Sequence, residues 1–568
     1  MLRRLLLVLI LVAAAFAILT YAVLPRPTVA AVPAAFQLSW PVARGAYHVH
    51  SRYSDGTGTF DDIAAAAAAA GLQFVIVTDH GNGTRAPEPP AYRSGVLVID
   101  AVEISTDAGH AVALDLPRAP YPIAGDPRDV LDDIHRLGGF AIAAHPGSLK
   151  PALRWGDWEA AFDGLEWLNA DSEWRDEFWG SLGKVLLTYS FRPTETLAGL
   201  LDRPSEVLQQ WDRLVARRRV SAMAGADAHA RLGFRQREPY EDRVLWRAPS
   251  YQASFEAFVN HVVLDGPFTG DATVDAATLL SAIREGRIFT SVDGIAKLSR
   301  FEAKATVGLA VARPGEYLDV PGPVAIDARI AAPEGTTLVL FKDGAPIYDS
   351  PSNEIRVDVG DAPGAYRIEA RLPGSITRSS VPWLLSNPMY VGLRAAHERA
   401  VATPAAQPAT ARSGLATGQW RAEAGPGSTS ALTPRALADG TPALEWRFSL
   451  AGGPRAEQYA ALHFPVDQHL AGHDRIQFRV ESDRPHRLWV QIRAPDDRGG
   501  QRWGRTFYVD PTLRSIEFRF SELKPMQPDQ TERQPLDRMD SVLFVIDTLN
   551  TVPGTSGVLR FPDLWLAR

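Results

Sequence analysis

Cysteine is absent from all 568 residues. That excludes disulfides, thiolate catalysis, iron–sulfur clusters, Cys-zinc sites and a lipid-modified cysteine anchor. Any metal site must therefore draw on His, Asp and Glu. An excess of positive charge is missing as well. Lys and Arg number 59 against 66 Asp and Glu, a net charge of -7. No general attraction to nucleic acid follows, and no stable nucleic-acid partner is expected. With 46% hydrophobic and 22% charged residues, the composition is that of a globular chain and excludes disorder over most of its length, as well as collagen-like and coiled-coil classes. At roughly 100–200 residues per domain, the length suits about three to five domains.

One long apolar run stands at the N-terminus. Arg3 and Arg4 precede Leu5–Leu24, and Pro25, Arg26 and Pro27 end it. About twenty residues at ~1.5 Å each span a bilayer core of about 30 Å. The h-region of a cleaved signal is shorter, and no A-x-A site follows closely. Residues 1–24 are therefore expected to be an uncleaved signal anchor. The basic flank places the N-terminus in the cytoplasm and exports the rest into the cell envelope.

The remaining chain divides into parts, with a linker expected over 25–44. From 45 to 295, apolar strand-like runs alternate with helix patterns. Phe74–Val77, Val96–Ile99, Phe140–Ala144 and Val220–Ala224 read as buried parallel strands. Asp61–Ala70, Asp126–Leu137, Pro204–Arg218 and Asp275–Glu285 read as helices. Strands alternating with helices predict an α/β sheet or barrel. Residues 296–394 change to short strands and turns and predict a small immunoglobulin-like β-sandwich. Residues 395–418, rich in Ala, Thr and Pro, read as a linker. Residues 419–568 are again dominated by strands and predict a jelly roll.

The candidate chemistry lies between 45 and 295. Seven of thirteen histidines fall between His48 and His229. His48-Val49-His50 is an H-x-H; on a strand both imidazoles face one side and can reach one ion. Asp227-Ala228-His229 repeats the spacing. Asp79-His80, Glu103, His145 and Asp227 each lie just beyond the C-terminal end of an expected strand, where α/β barrels assemble their sites. Ser105–Gly109 reads as a turn that brings His110 back beside Glu103. His48, His50, Asp55, His80, Glu103, His110, His145, Asp227 and His229 are thus nine candidate ligands. One ion takes three or four protein ligands, so nine suit two or three ions. Such sites perform hydrolysis, commonly of phosphate esters.

His48-Val49-His50-Ser51, Ser54-Asp55-Gly56, Thr78-Asp79-His80, Glu103, Ala144-His145-Pro146 and Asp227-Ala228-His229 together resemble the PHP (polymerase and histidinol phosphatase) superfamily. Ser386-Asn387-Pro388-Met389-Tyr390-Val391 is similar to a tag of its CehA/McbA branch. The resemblance implies a distorted seven-stranded β/α barrel with a trinuclear site. It shares the ligands as His48, His50, Glu103 and Asp227 for one ion, Glu103, His110 and His145 for a second, and Asp55, His80 and His229 for a third. Glu103 bridges. The ions would be manganese, iron or zinc, with Asp55 favouring the harder ones.

Several residues carry a plainer reading. Asp79 either orients neighbouring groups or serves a turn. Arg231 and Arg235 follow the Asp227–His229 motif and are either phosphate clamps or solvated loop charges; Lys150 and Arg154 are weaker candidates. Trp155, Trp158, Trp167, Trp174 and Trp179 read as core before pocket wall, and His135 as structural. Glu166 and Asn169 lie at a strand end that can face the site. The expected function is metal-dependent phosphoester hydrolysis by a metal-bound hydroxide, with Glu103, Asp227, Arg231 and Arg235 in catalytic roles and a phosphorylated small molecule or nucleotide as substrate. One alternative is a carbamate, ester or amide hydrolase of the CehA/McbA type. Another is an envelope carbohydrate-binding protein with a vestigial barrel. Residues 419–568 resemble the galactose-binding-like jelly roll of carbohydrate-binding modules, with Trp420, Trp446, Trp489, Trp503 and Trp565 as either sugar platforms or core.

Overall fold

The structure is a computed structural model and describes residues 2–170, 172, 179–234, 243–246, 248–401, 412–414, 419–453, 458–466, 470–495, 500–527 and 534–568. It forms two compact units. The first comprises 1–117 and 126–403, the second 118–125 and 404–568.

Helix α1 (Leu2–Val23) opens the first unit. It is long and apolar enough to cross a membrane, and its large side chains from Leu5 to Val12 are all more than half exposed. The segment after it, expected to be a linker, is laid down along the unit. Thr28 Oγ1 donates to the Gly294 carbonyl at 2.8 Å, and Val29 forms a parallel bridge with Ala296. Arg300 and Arg329 donate to the carbonyls of Phe36 and Gln37. Backbone, guanidinium and carboxylate partners far along the chain hold this strap, Ser39 N among them donating to Glu302, so its Pro- and Ala-rich sequence gives no sign of it.

Fourteen strands organise the first part of this unit: β1 (Val42–Tyr47), β2 (Phe74–Val77), β3 (His80–Gly81), β4 (Ala91–Arg93), β5 (Val96–Asp100), β6 (Val102–Thr106), β7 (Gly109–Leu114), β8 (Phe140–Ala144), β9 (Gly164–Asn169), β10 (Ser221–Gly225), β11 (Leu232–Phe234), β12 (Arg243–Trp246), β13 (Val259–Val263) and β14 (Ile288–Ser291). Parallel pairs join β1 to β2, β2 to β5, β3 to β6, β8 to β9 and β9 to β10. The expectation of parallel strands needs correction at two places, the β7–β8 pair and β13. β7 is the expected returning strand, set antiparallel to β6 by a tight turn at Gly109, and it is antiparallel to β8 as well. β13 pairs antiparallel with β1 and with β14. The ends of β10 and β1 are tied by Ala226 N donating to the Tyr47 carbonyl and His50 N to the Ala228 carbonyl.

The strands are continuous apolar runs because both faces are covered; every residue of β2, β5, β8, β9 and β10 is buried. Helix α2 (Phe60–Ala69) begins at a capping box in which Thr59 and Asp62 satisfy each other's backbone N–H. Helix α3 (Pro127–Arg136) starts at Asp126 with Pro127 in its first turn.

Residues 296–394, expected as a separate small sandwich, lie in the first unit. A four-stranded antiparallel sheet forms there, but Leu384–Ser386 pairs with β14 and with Gly364–Arg371, so the preceding sheet runs on into this segment. Within the expected linker 395–418, Arg394–Val401 is helical and Arg412–Gly414 pairs with Leu564–Ala567.

The second unit holds two sheets. One contains Arg412–Gly414, Leu564–Ala567, Arg475–Ser482, Ser556–Phe561, Pro442–Ser449, Thr429–Ala436 and Arg514–Arg519. The other contains Arg421–Ala424, Tyr459–Pro465, Ser541–Asp547, His486–Ala494, Gln501–Val509 and Lys524–Pro525. Trp446, Phe448, Phe478, Val490, Trp503 and Phe544 fill the space between as a β-sandwich core. Trp420, Trp446 and Trp503 are therefore core residues, whereas Trp489 and Trp565 are half-buried.

Candidate metal centre

All nine candidate ligands meet at one end of the β1–β10 strands. Four overlapping sets each keep their ligand atoms within 4.8 Å of one another: His50, Asp55, His80 and His229; His48, Glu103 and His145; His48, His50 and Asp227; His80, Glu103 and His110. The second and fourth sets share Glu103. Its Oε1 is 2.7 Å from His110 Nδ1 and 3.0 Å from His145 Nε2. Its Oε2 is 3.1 Å from His80 Nδ1 and 3.3 Å from both His48 Nε2 and His50 Nε2. Asp227 Oδ1 faces the same two imidazoles at 3.5 and 3.3 Å. Asp55 Oδ1 is 3.3 Å from His229 Nε2 and 3.8 Å from His80 Nε2.

The backbone that presents these groups is not plain strand. β1 ends at Tyr47, and His48 adopts φ 62°; His145 and Asp227 adopt 31° and 44°. Three non-glycine residues in this sparsely populated region, all at one site, mark strain held in place by the surrounding structure. His48 and His50 are thus not on a strand as expected. Glu103 lies beyond the end of β5 and beside the returning strand β7, as expected. It lies inside β6, because the chain stays extended past Ala101, whose N–H donates to the Val77 carbonyl as that of Glu103 does to Asp79.

Three imidazoles are oriented from behind. His48 Nδ1 donates to Glu166 Oε1 at 2.5 Å, His145 Nδ1 to the Leu153 carbonyl at 3.0 Å, and His229 Nδ1 to the Asp227 carbonyl at 2.9 Å. In the neutral ring each bond leaves the Nε2 lone pair facing the centre, the form in which histidine binds a metal. Glu166 is fully buried, and its Oε2 accepts from His145 N and Asn169 Nδ2, both at 2.7 Å. A lone carboxylate inside the apolar run of β9 is the signal for it. Asp79 does not join the nine. It accepts from Ser51 N, Ser51 Oγ and Ser54 Oγ at 2.6–2.8 Å and so fixes the turn leading to Asp55. Tyr251, not singled out from sequence, donates its hydroxyl to the His50 carbonyl at 2.7 Å.

The carboxylates and imidazoles of the centre shift one another's ionisation. Burial raises the pKa of Glu103, but His48 and His80 and hydrogen bonds from His110 and His145 outweigh it and hold the carboxyl well below the usual range. Burial likewise opposes ionisation of Asp227, and His48 and His50 overcome it. Burial lowers His145, but Glu103 raises it to about 9. Burial and then His229 lower His50. His48 Nε2, His50 Nε2 and Glu103 Oε2 are buried and lack a hydrogen-bond partner. Buried polar atoms of this kind are costly unless something occupies the space between them, so the donor set fits divalent ions. The centre opens on one side, at Asp55, His80 and His229, whose side chains are 27%, 33% and 19% exposed.

The remaining candidates lie elsewhere or are engaged. Arg231 Nη1 donates to the Asp55 carbonyl at 2.9 Å, and Arg235 lies outside the described residues. Arg154 meets Glu206 at 3.3 Å, and Lys150 is exposed. His135 meets Asp163 at 2.7 Å, away from the nine. Trp155 and Trp167 are core, Trp158 is half-buried, and Trp174 lies outside the described residues, as does the side chain of Trp179.

Residues 46–114 match the family model of the PHP domain. His48, His50, Asp55, His80, Glu103 and His110 fall inside that span; His145, Asp227 and His229 follow it. No curated protein sequence matches the chain. Among solved structures, a two-domain protein from Bacteroides vulgatus, described as containing a predicted PHP-like metal-dependent phosphoesterase, is similar over 64% of this chain and 99% of its own, at 13% identity and a TM-score of 0.27. A family 11 carbohydrate-binding module from Clostridium thermocellum is similar over 26% of this chain and 88% of its own, at 16% identity and a TM-score of 0.22. The PHP match and the ligand clusters together support a metal-dependent hydrolase.

Proposed function

We propose that the chain is a metal-dependent phosphoesterase anchored in the cell envelope, with its site on a distorted seven-stranded barrel formed by β1, β2–β3, β5–β6, β7, β8, β9 and β10. The observation that carries this reading is the trio of unpartnered atoms, His48 Nε2, His50 Nε2 and Glu103 Oε2, converging in a buried space with Asp227 Oδ1. Two or three ions, manganese, iron or zinc, would be held by the nine ligands, with Glu103 serving two sets. When bound, such ions acidify water toward neutral pKa and draw charge from substrate oxygens. His48, His50, His145 and Glu103 form a closed floor that excludes bulk water, while Asp55, His80 and His229 form the mouth where substrate arrives. Glu166 holds His48 in one tautomer. Several cations in one pocket favour an anionic substrate, which is why phosphate esters, of small molecules or nucleotides, fit best.

A second reading, hydrolysis of carbamates, esters or amides, is favoured by one observation. The guanidinium of Arg231 is engaged with the Asp55 carbonyl rather than presented as a phosphate clamp. Parallel kinetics of the metal-reconstituted chain on aryl phosphate monoesters, aryl phosphate diesters and an aryl carbamate separate the two. Preference for phosphate substrates with inhibition by free phosphate supports the first reading; preference for the carbamate without such inhibition supports the second. Helix α1 is proposed as the uncleaved anchor, and the second unit as a carbohydrate-binding module in which Trp489 and Trp565 are the candidate platforms.

A further inference from the structure

Among the described residues, no strand pairs through its backbone with one edge of β10, although β13 and β14 lie near it. Its other edge pairs in parallel with β9. On the open edge, main-chain groups of alternate residues are nevertheless satisfied, and by side chains. Val220 N and O meet the Tyr390 hydroxyl, each at 3.3 Å. Ala222 N donates to Asn387 Oδ1 at 2.7 Å, and Asn387 Nδ2 donates back to the Ala222 carbonyl at 2.9 Å. Ala224 N donates to Asn260 Oδ1 at 3.0 Å, and Asn260 Nδ2 returns to the Ala224 carbonyl at 2.8 Å. The next rungs are backbone: Ala226 N to the Tyr47 carbonyl and Ala228 N to the His48 carbonyl. A ladder with a two-residue step thus runs from Val220 to Ala228 and ends between Asp227 and His229.

A side-chain amide carries one donor and one acceptor in the geometry of a peptide group, so each asparagine stands in for one residue of a missing strand. Asn260, Asn387 and Tyr390 are each 1% exposed. Asn387 is itself fixed, its Nδ2 also donating to the Ile288 carbonyl at 3.1 Å, and Thr290 Oγ1 donates to Asn260 Oδ1 at 3.1 Å. Two of the three side chains come from residues 387–390, far along the chain in the strand-rich segment.

We propose that Asn260, Asn387 and Tyr390 are positioning residues that set the register of β10 and thereby hold Asp227 and His229 at the metal centre. The strand-rich segment up to Val391 is then a working part of that centre. The proposal rests on the metal reading above. A strand held by backbone partners on one edge only can slide or twist, and a one-residue slip would turn Asp227 away from His48 and His50.

The test uses the full chain with Asn387→Asp and Asn260→Asp, each of which keeps the shape but removes the donor, and Tyr390→Phe as the mildest change. Trp383→Phe is the control: its buried indole N–H donates to the Ala296 carbonyl at 2.7 Å, away from β10. Three quantities are read, namely melting temperature, affinity for Mn²⁺ by titration, and hydrogen exchange at the Ala226 and Ala228 amides. The asparagine variants should bind Mn²⁺ roughly 10–100-fold more weakly and exchange those two amides faster, while Trp383→Phe lowers the melting temperature without moving either. Folded asparagine variants with unchanged affinity and exchange overturn the proposal, as does a Trp383→Phe affinity that falls in step with its melting temperature. If Asn387→Asp does not fold, Asn260→Asp and Tyr390→Phe decide by the same criteria. Should the unaltered chain bind no divalent ion, the metal reading fails, and the exchange measurement still decides whether the ladder holds Asp227.

Discussion

Gly225 ends β10 directly beside Glu166, and replacing it with alanine is a clean perturbation of the centre, since Gly225 bears no ligand atom. A Cβ at this position lies 2.5 Å from the Glu166 carboxyl carbon and from Oε1, and 2.7 Å from Oε2. Ordinary contact begins near 3.4 Å, so the carboxylate must retreat by about 0.9 Å, an overpacking that costs about 1–3 kcal/mol. It cannot retreat freely. It holds His48 Nδ1 at 2.5 Å and His145 N and Asn169 Nδ2 at 2.7 Å. Each charge-assisted bond lost adds about 1.5–3 kcal/mol, and His48 loses the group that aims its Nε2. Gly225→Ala should lower the melting temperature and weaken divalent-ion binding roughly 10–100-fold. The assay is chelator-competed metal titration beside a thermal melt. The double variant Gly225→Ala/Glu166→Ala should bind ions no worse than Glu166→Ala alone, because the clash then has no second party. Gly225→Ala with native melting and native metal affinity would refute the role given to Glu166.

Arg231→Ala should reduce turnover of every substrate alike, by about 1.5–3 kcal/mol for a lost charged bond to the Asp55 carbonyl; kinetics showing a loss confined to phosphorylated substrates would restore the clamp role. A chain beginning at Pro25 should melt with the full chain, whereas one beginning at Ala35, which loses the Thr28 and Val29 contacts with Gly294–Lys297, should melt measurably lower in a thermal scan. The hydrogen bond to Asp163 raises the pKa of His135 in the folded state. That contribution is fully present below the unfolded value of about 6.5 and is lost as pH rises through the raised folded value. His135→Gln should therefore flatten the stability profile in that window, measured by urea melts across pH.

Much of the site was legible because ligand chemistry restricts residue type. Without cysteine, a metal centre could use only His, Asp and Glu, and those residues cluster at the ends of apolar runs. The runs Phe74–Val77 and Phe140–Ala144 are strands with those very bounds, since buried strands are cut off sharply by polar residues. What stayed hidden depends on tertiary partners. Positive φ at His48, His145 and Asp227 has no sequence marker in a non-glycine residue. The extension through Glu103 was obscured by Asp100, a buried carboxylate that looks like a strand end but is paired with Arg85 at 2.6 Å. Asn260 and Glu166 did leave a signal, each a polar residue inside a buried strand that must find a partner. The strap over 25–44 left none, because its partners, main-chain carbonyls near Gly294 and the carboxylates of Glu195, Glu302 and Asp293, lie far along the chain.

The central claim is that the nine side chains hold divalent ions, and elemental analysis of the purified, metal-reconstituted and dialysed chain tests it most directly. The account predicts about two to three equivalents of a divalent metal per chain, with more than one lost in Glu103→Ala, because Glu103 serves two ligand sets. A folded native chain that retains no metal, or a Glu103→Ala chain that keeps the full complement, would contradict it.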